Sequence, residues 1–417
     1  MILSSFHNRL ASLIGNLLEN YDKALFALLA PFIAPLFFYG KDPITALILT
    51  YAILPLSLFT KPLGSLFFGW IGDRLGYKQA LFYSLSGTAL ATMSIGMLPT
   101  YKTVGAWAPI FLALGRMLQS FFAAGESAGG ALLLLENTEK KRRSLFSSFY
   151  DISSLGGMFI ASIAVSSMSL QGCVEKNWRI LFLAGGVTAL LGLFLRYTAK
   201  KEADYIPSKE EKNSLIKILK ENKLALLIII LASGFSHTTY SFAFTFMNAF
   251  VPLITNTTQV EIIGLNTKLL IVDMLLLPCF GYLAYKLGKE KIMLAGSLCA
   301  VAGAIPLFLL LPSASIHTIT IVRVFVILFG VAFGASYYAW AMEQVPSKHR
   351  YLILALGSAL GSQLIGAPST AICLWLYKTS HITFIPGLDL ALTGVGASFA
   401  VYYHIHVKKS RQPVNLT

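Results

Sequence analysis

GWIGDRLGYK occupies residues 69–78, and GYLAYKLGKE occupies residues 281–290. Gly69, Asp73, Arg74 and Gly76 of the first return as Gly281, Tyr285, Lys286 and Gly288 of the second, each 212 positions later. A second set behaves alike: Arg116, Glu136 and Arg143 return as Arg323, Glu343 and Arg350, each 207 positions later. Two independent sets at nearly one offset read as a duplicated half-chain. Whatever the first half builds, the second is expected to build again.

The sequence between these markers is apolar. Of 417 residues, 56% are hydrophobic and 12% charged, with a mean hydropathy of +0.69. A soluble domain carries about 25% charged residues, so the chain reads as a polytopic membrane protein. A helix needs about 20 residues to cross a bilayer. Twelve segments qualify: 10–39, 44–70, 79–98, 107–135, 144–168, 178–198, 223–253, 260–285, 291–311, 317–342, 351–377 and 383–406. The expected fold is all-α and integral to the membrane, twelve transmembrane helices in two six-helix pseudo-symmetric bundles. A parallel six-plus-six repeat is the plan of one large class of transporters. Residues 1–198 would form the first bundle and 223–417 the second. Between them, 199–222 reads as a cytoplasmic linker, the one long polar run (AKKEADYIPSKEEKNSLIKILKENK, through Lys223).

The net charge is +14, but the bases do not gather on one soluble face, which argues against nucleic acid. They lie between the apolar segments, where Lys and Arg set orientation. With the N-terminus inside, the inner segments hold 23 bases and the outer loops 5. Both termini are therefore expected in the cytoplasm. Arg9 precedes a long apolar stretch with Pro31 and Pro35 and no small-residue cleavage site, so the first span is expected to be retained. Cys173, Cys279, Cys299 and Cys373 have no metal or redox spacing. No metal or cofactor is expected. Asn256-Thr257-Thr258 is a glycosylation sequon that matters only in a secretory pathway.

Several charges lie inside spans. Glu19, Asp22 and Lys23 fall in the first; each charge at mid-membrane costs about 2.5–3.5 kcal/mol. They are expected to face a wet or protein-lined cavity. Glu19 and Lys23 are spaced to pair on one helix face. That leaves Asp22 as an unbalanced acid able to take a proton; the alternative is an ion pair that only holds the span in place. In the fourth span Arg116, Gln119, Ala123, Glu126 and Gly130 form one stripe. Arg116 and Gln119 read as substrate or coupling residues, Glu126 as a second proton site, against an alternative of interhelical hydrogen bonding. GESAG at 125–129 matches a nucleophile-elbow pattern, but that motif needs a strand–turn–helix and here lies in an apolar span, so an enzyme is not expected. Asp151 in the fifth span is a further proton candidate, against an alternative of binding the inside loops. In the seventh, Ser236, His237, Thr238, Thr239 and Tyr240 take the repeat position of the first span's charges, and His237 and Tyr240 are candidates to line the substrate path. Asp273 is an isolated acid, and Tyr337, Tyr338 and Trp340 could pack a ligand or anchor the membrane face.

GWIGDRLGYK resembles the loop signature of the major facilitator superfamily, G-x-x-x-D-R-x-G-R-[RK], with Tyr77 at the first basic position. The chain is more narrowly similar to the metabolite:proton symporter family of proline/betaine, citrate, α-ketoglutarate and shikimate carriers. Gly15, Asn16, Glu19, Tyr21 and Asp22 match its first-span motif, with Asn20 for Trp and Lys23 for Phe. KPLGSLFFGWIGDRLGYK matches a second motif, with Lys61 for Arg, and RMLQSFFAAGESAG a third. The similarity is clear over 15–157 and thinner after 223.

The resemblance implies a proton-coupled symporter of a small polar metabolite, an amino acid or betaine such as proline or a small organic acid, working by alternating access. The proton gradient would supply the energy, in a bacterial inner membrane, with the chain a monomer. Asp22, Glu19, Glu126 and Asp151 are the candidates for proton coupling, and Tyr21, Lys23, Arg116, Gln119, His237 and Tyr240 for the substrate; the resemblance supports these roles for Arg116, Gln119 and Glu126. Asp73, Arg74, Glu136 and Arg143, with Glu343 and Arg350, would be gate residues. The chain ends soon after its twelfth span, without the coiled-coil tail of osmosensing carriers. Rival readings are an uncoupled uniporter of the same fold and a transporter-like sensor.

Overall fold

The computed structural model describes residues 2–41, 46, 49–50, 53, 56–136, 138–198 and 215–408. Most of the linker (199–214) and part of the start of the second span (42–55) lie outside the described residues. Everything regular among the described residues is helical. The long helices are α1 (Ile2–Phe37), α2 (Ser57–Leu75), α3 (Tyr77–Gly96), α4 (Trp107–Glu136), α5 (Arg143–Leu170) and α6 (Val174–Thr198). After a short helix at Leu215–Glu221 come α7 (Lys223–Ile254), α8 (Gln259–Leu287), α9 (Lys289–Leu309), α10 (Ile316–Gly334), α11 (350–380) and α12 (Ile385–Tyr403). Each of the twelve expected spans coincides with one of these. Eight of them, α4, α5 and α7 to α12 with their adjoining turns, are long and apolar enough to cross a membrane by length and composition alone. Of the rest, α1 carries the buried acids Glu19 and Asp22, and α3 a hydroxyl stripe.

Two helices widen partway. α7 opens into a π-turn at Phe242–Phe246 and α11 into another at Gly361–Gly366. A π-turn lets one residue bulge from the ladder and is found most often at functional sites.

The described residues within Met1–Asn137 and Ile152–Lys212 form one compact unit; those within Thr138–Asp151 and Asn213–Thr417 form a second. The start of α5 thus belongs to the second unit and its remainder to the first.

Within the first unit α1 packs on α4 and α6, α2 on α4, and α3 on α4 and α6. Within the second, α7 packs on α10 and α12, α8 on α10, and α9 on α10 and α12. Adding six to each helix number of the first scheme gives the second, so the repeat read from spacing is also a repeat of packing. The joints agree. α2 meets α3 at Gly76 and α8 meets α9 at Gly288, both at φ 97°, where any side chain would be strained. A short 3₁₀ turn precedes α5 at Lys140–Arg142 and α11 at Ser347–His349.

Local signals start the helices. Thr258 and Glu261 form a reciprocal capping box on α8: Thr258 N donates to Glu261 Oε2 at 2.8 Å and Glu261 N to Thr258 Oγ1 at 3.3 Å. Ser315 Oγ caps α10 by accepting from Thr318 N at 3.3 Å. The lower half of α1 is apolar, and Phe26, Leu29, Ile33 and Phe37 enter a core with Trp178 and Phe182 of α6. Phe37 and Trp178 meet edge-on at 5.8 Å. That core anchors the polar half of the same helix, Asn16 to Lys23.

Candidate functional site

Glu19, Asp22, Lys23 and Phe26 lie on one stripe of α1, at the i, i+3, i+4 and i+7 spacing of a helix. Lys23 Nζ pairs with Glu19 Oε1 within that stripe, as the spacing predicts. Lys61 of α2 lies within electrostatic reach of both. Glu19 is 1% exposed and Asp22 3%, so these acids are interior groups. The substituted Asn20 turns back along its own helix, its amide donating to Asn16 O at 2.8 Å and Asn16 Oδ1 at 3.0 Å. Asn16 in turn donates to Ser153 Oγ (2.8 Å) and Ser154 Oγ (2.7 Å), fixing α1 against α5.

Asp22 is the end of a relay across three helices. Arg116 Nη1 donates to Gln119 Oε1 one turn along α4. Gln119 Nε2 donates to Thr92 Oγ1 of α3 at 2.6 Å, and Thr92 Oγ1 donates to Asp22 Oδ2 at 2.8 Å. A hydroxyl has a single proton to give, so every donor in the chain points from Arg116 towards Asp22. Such chains polarise in one sense and reinforce themselves in a low dielectric. The Arg116 guanidinium also lies over the Phe26 ring, 4.2 Å from its centroid, and within electrostatic reach of Asp22. Both ends of the relay keep spare capacity: Arg116 Nε and Asp22 Oδ1 are buried and without a hydrogen-bond partner among the described residues. Room for Asp22 comes from Gly185 of α6, where a Cβ would stand 2.5 Å from Asp22 Oδ1.

Thr92 and Gly185 were not among the expected site residues. Thr92 belongs to a buried hydroxyl stripe, Ser84, Thr88 and Thr92, at i+4 intervals, which is the only sequence signal for it. Gly185 gives none.

Of the remaining candidates, Tyr21, 8% exposed, donates its hydroxyl to Leu181 O of α6 at 3.3 Å. Glu126 is 1% exposed, ten residues along α4 from Arg116. In the second unit His237 sits against the π-turn of α11, so close that a Cβ on Gly366 would stand 2.6 Å from its ring. Tyr240 packs on Phe244, with ring centroids 5.1 Å apart. Asp151 and Asp273 lie within electrostatic reach of each other, and Tyr338 meets Tyr150 edge-on at 5.4 Å.

Of the expected gate residues, Arg74 is exposed and stacks over Trp70 at 4.4 Å rather than meeting an acid. Glu136 accepts from Tyr77 Oη at 3.4 Å. In the second unit Glu343 pairs with Lys289 at 2.9 Å, and Arg350 Nε donates to Val345 O at 3.4 Å. Asp73 and Arg143 are half-buried. Glu290, Glu343 and His404 each bring one atom within 4.8 Å of the others, a spacing that could hold a metal ion. Lys289 already bridges the two carboxylates, 3.6 Å from Glu290 and 2.9 Å from Glu343, so the local charge is met from within the chain.

The family model of the Major Facilitator Superfamily matches residues 13–403. A putative proline/betaine transporter of Staphylococcus aureus (strain MSSA476) is 28% identical over 412 residues, covering 94% of this chain and 86% of that protein. The glycine betaine/proline/ectoine/pipecolic acid transporter of Dickeya dadantii is 25% identical over 402 residues, covering 92% and 80%. Among solved structures, the E. coli fucose:proton symporter superposes with a TM-score of 0.71 at 12% identity, over 96% of this chain and 99% of that one, a likeness of fold.

Proposed function

This chain belongs to the major facilitator superfamily and is a multi-pass membrane transporter; we propose that it couples a proton to the movement of a small zwitterion of the proline and betaine class. The observation that carries this reading is the pair of spare groups at the two ends of the Arg116–Gln119–Thr92–Asp22 relay. In the empty site the Asp22 carboxylate offsets the charge on Arg116. A proton on Asp22 Oδ1 removes that offset and leaves Arg116 a buried cation without a counter-ion. Such a cation is costly, and the carboxylate of a substrate relieves it by accepting from Arg116 Nε. Proton and substrate therefore bind better together than apart, which is the coupling a symporter requires. Glu19 is paired with Lys23 along the rest of the stripe, and Glu126 is a second proton carrier further along α4. The relatives' names support the substrate class, since proline and the betaines share a carboxylate and a cationic nitrogen.

The test is uptake of labelled proline or glycine betaine into proteoliposomes with and without an inward proton gradient. Accumulation is expected only with the gradient. Uptake that ignores it would make the protein a uniporter, with Asp22 a structural acid.

A further inference from the structure

Asp22 and its neighbour Tyr21 both rest on one turn of α6, Leu181 to Gly185. The Tyr21 hydroxyl donates to Leu181 O at 3.3 Å. Gly185 closes the turn: a Cβ there would stand 2.5 Å from Asp22 Oδ1 and 3.1 Å from Tyr21 Cε1. Thr92 Oγ1 holds the other oxygen, Oδ2, at 2.8 Å, so the carboxyl group has little freedom to swing clear. Oδ1 therefore lies on bare backbone. It is buried and has no hydrogen-bond partner among the described residues. The one donor that Gly185 owns, its N–H, is committed to the hydrogen-bond ladder of α6. The two oxygens of one carboxyl group thus differ: one is donated to, the other is offered nothing.

Charged groups face Asp22 from several helices. Arg116 of α4 and Glu19 of α1 act on it; Glu19 is itself paired with Lys23, and Lys61 of α2 lies within reach of that pair. α5 meets α1 through Ser153, Ser154 and Gly157, which are uncharged. The turn of α6 against the carboxyl, LFLAG at 181–185, carries no charge either. An ionised oxygen buried without a donor is costly, and a proton on it removes that cost.

We infer that Gly185 is a positioning residue for the coupling proton: offering neither a Cβ nor a free donor, it seats Asp22 Oδ1 on bare α6 backbone and makes that oxygen the one that takes a proton from solvent and returns it. This rests on the reading of Asp22 as the coupling acid. A side chain at position 185 would act in one of two opposite ways. A methyl group pushes the carboxyl off Thr92 and gives nothing back, which favours the neutral form. A hydroxyl makes a similar push but donates to Oδ1, which favours the charged form.

The test is the titration of Asp22, read by infrared difference spectra of the full chain in nanodiscs with ¹³C at the aspartate carboxyls; the Asp22 band is the one lost in Asp22→Asn. Gly185→Ala is expected to keep the protonated-carboxyl band to higher pH and Gly185→Ser to lose it at lower pH. Each shift is expected to be about one pH unit, the scale of one hydrogen bond to a charged group. Shifts of one sign in both variants, or none in either, overturn the proposal, since crowding of α1 by α6 alone would move the two alike. Thr92→Val decides which oxygen holds the proton even where a variant at 185 fails to fold. With the proton on Oδ1 the carbonyl oxygen is Oδ2, so removing its donor is expected to raise the C=O frequency; an unmoved band places the proton on Oδ2 and overturns the proposal. None of these spectra depends on transport. Uptake that ignores the gradient would end the symport reading and leave the effect of Gly185 on Asp22 to be judged by the band.

Discussion

Arg116 of α4 and Arg323 of α10 stand at matching places in the two units, 207 residues apart, and they are used differently. Arg116 bonds a side chain, Gln119, and keeps Nε in reserve. Arg323 is fully buried and donates through Nε and Nη2 to Ala243 O, at 3.1 and 2.7 Å, and through Nη2 to Asn266 Oδ1. Ala243 lies inside the π-turn of α7. Arg323 thus donates to a main-chain carbonyl within that bulge. In the first unit α1 runs as an unbroken α-helix over Ile2–Phe37 and presents no such carbonyl to Arg116, which bonds Gln119 instead. The duplicated arginines thus divide in their partners: Arg116 meets the side chain of Gln119, and Arg323 a main-chain carbonyl of the π-turn together with Asn266.

The sharpest test of that division is to remove each guanidinium in turn. Arg323→Met strands the Ala243 carbonyl; an unsatisfied buried polar group costs about 1–3 kcal/mol. A clear fall in the melting temperature of the purified protein is expected. Arg116→Gln is expected to leave the melting temperature near wild type and to abolish uptake. If both variants melt alike, the division fails.

Within the first unit, Asp22→Asn fixes the relay in its neutral state. Gradient-driven accumulation is expected to disappear while substrate counterflow persists. Because the variant cannot give up a proton at position 22, the pH dependence of its counterflow should weaken to the part carried by Glu126.

Thr92→Val keeps the shape and removes the single hydroxyl joining Gln119 to Asp22. About tenfold slower uptake is expected, equivalent to about 1.4 kcal/mol; Thr92→Ser should recover most of it. Full activity in the valine variant would mean that Arg116 and Asp22 do not communicate through this path.

The smallest effect concerns the joints. Tyr77 and Lys289 occupy one repeat position, 212 residues apart, and each meets the repeat-related acid, Glu136 or Glu343. Tyr77→Lys makes the first joint resemble the second. A stabilisation under about 1 kcal/mol is expected, as for other pairs near a surface, read as a small rise in melting temperature.

Much of this was legible in the sequence because the determinants are local or periodic. Apolar runs gave the helices, and paired spacings gave the repeat. The i, i+4 rule anticipated Glu19 with Lys23, and helical periodicity put Arg116 and Gln119 on one stripe. The unseen parts depend on how helices are rotated against one another. Thr92 and Gly185 meet Asp22 from helices distant in sequence, and nothing in their own surroundings marks them. The π-turn in α7 has no residue signature, so Arg323 read as a twin of Arg116.

The start of α5 carries a practical consequence for anyone who would divide this protein. The chain invites a cut in the polar linker, yet residues 138–151 belong structurally with the C-terminal unit. A fragment beginning at Lys223 would lack Ser148, the partner of Gly281, and Asp151, the neighbour of Asp273. Severed halves could regain a complete second body only by lending that stretch of helix in trans, so co-expression rather than separate refolding is the route to a split transporter.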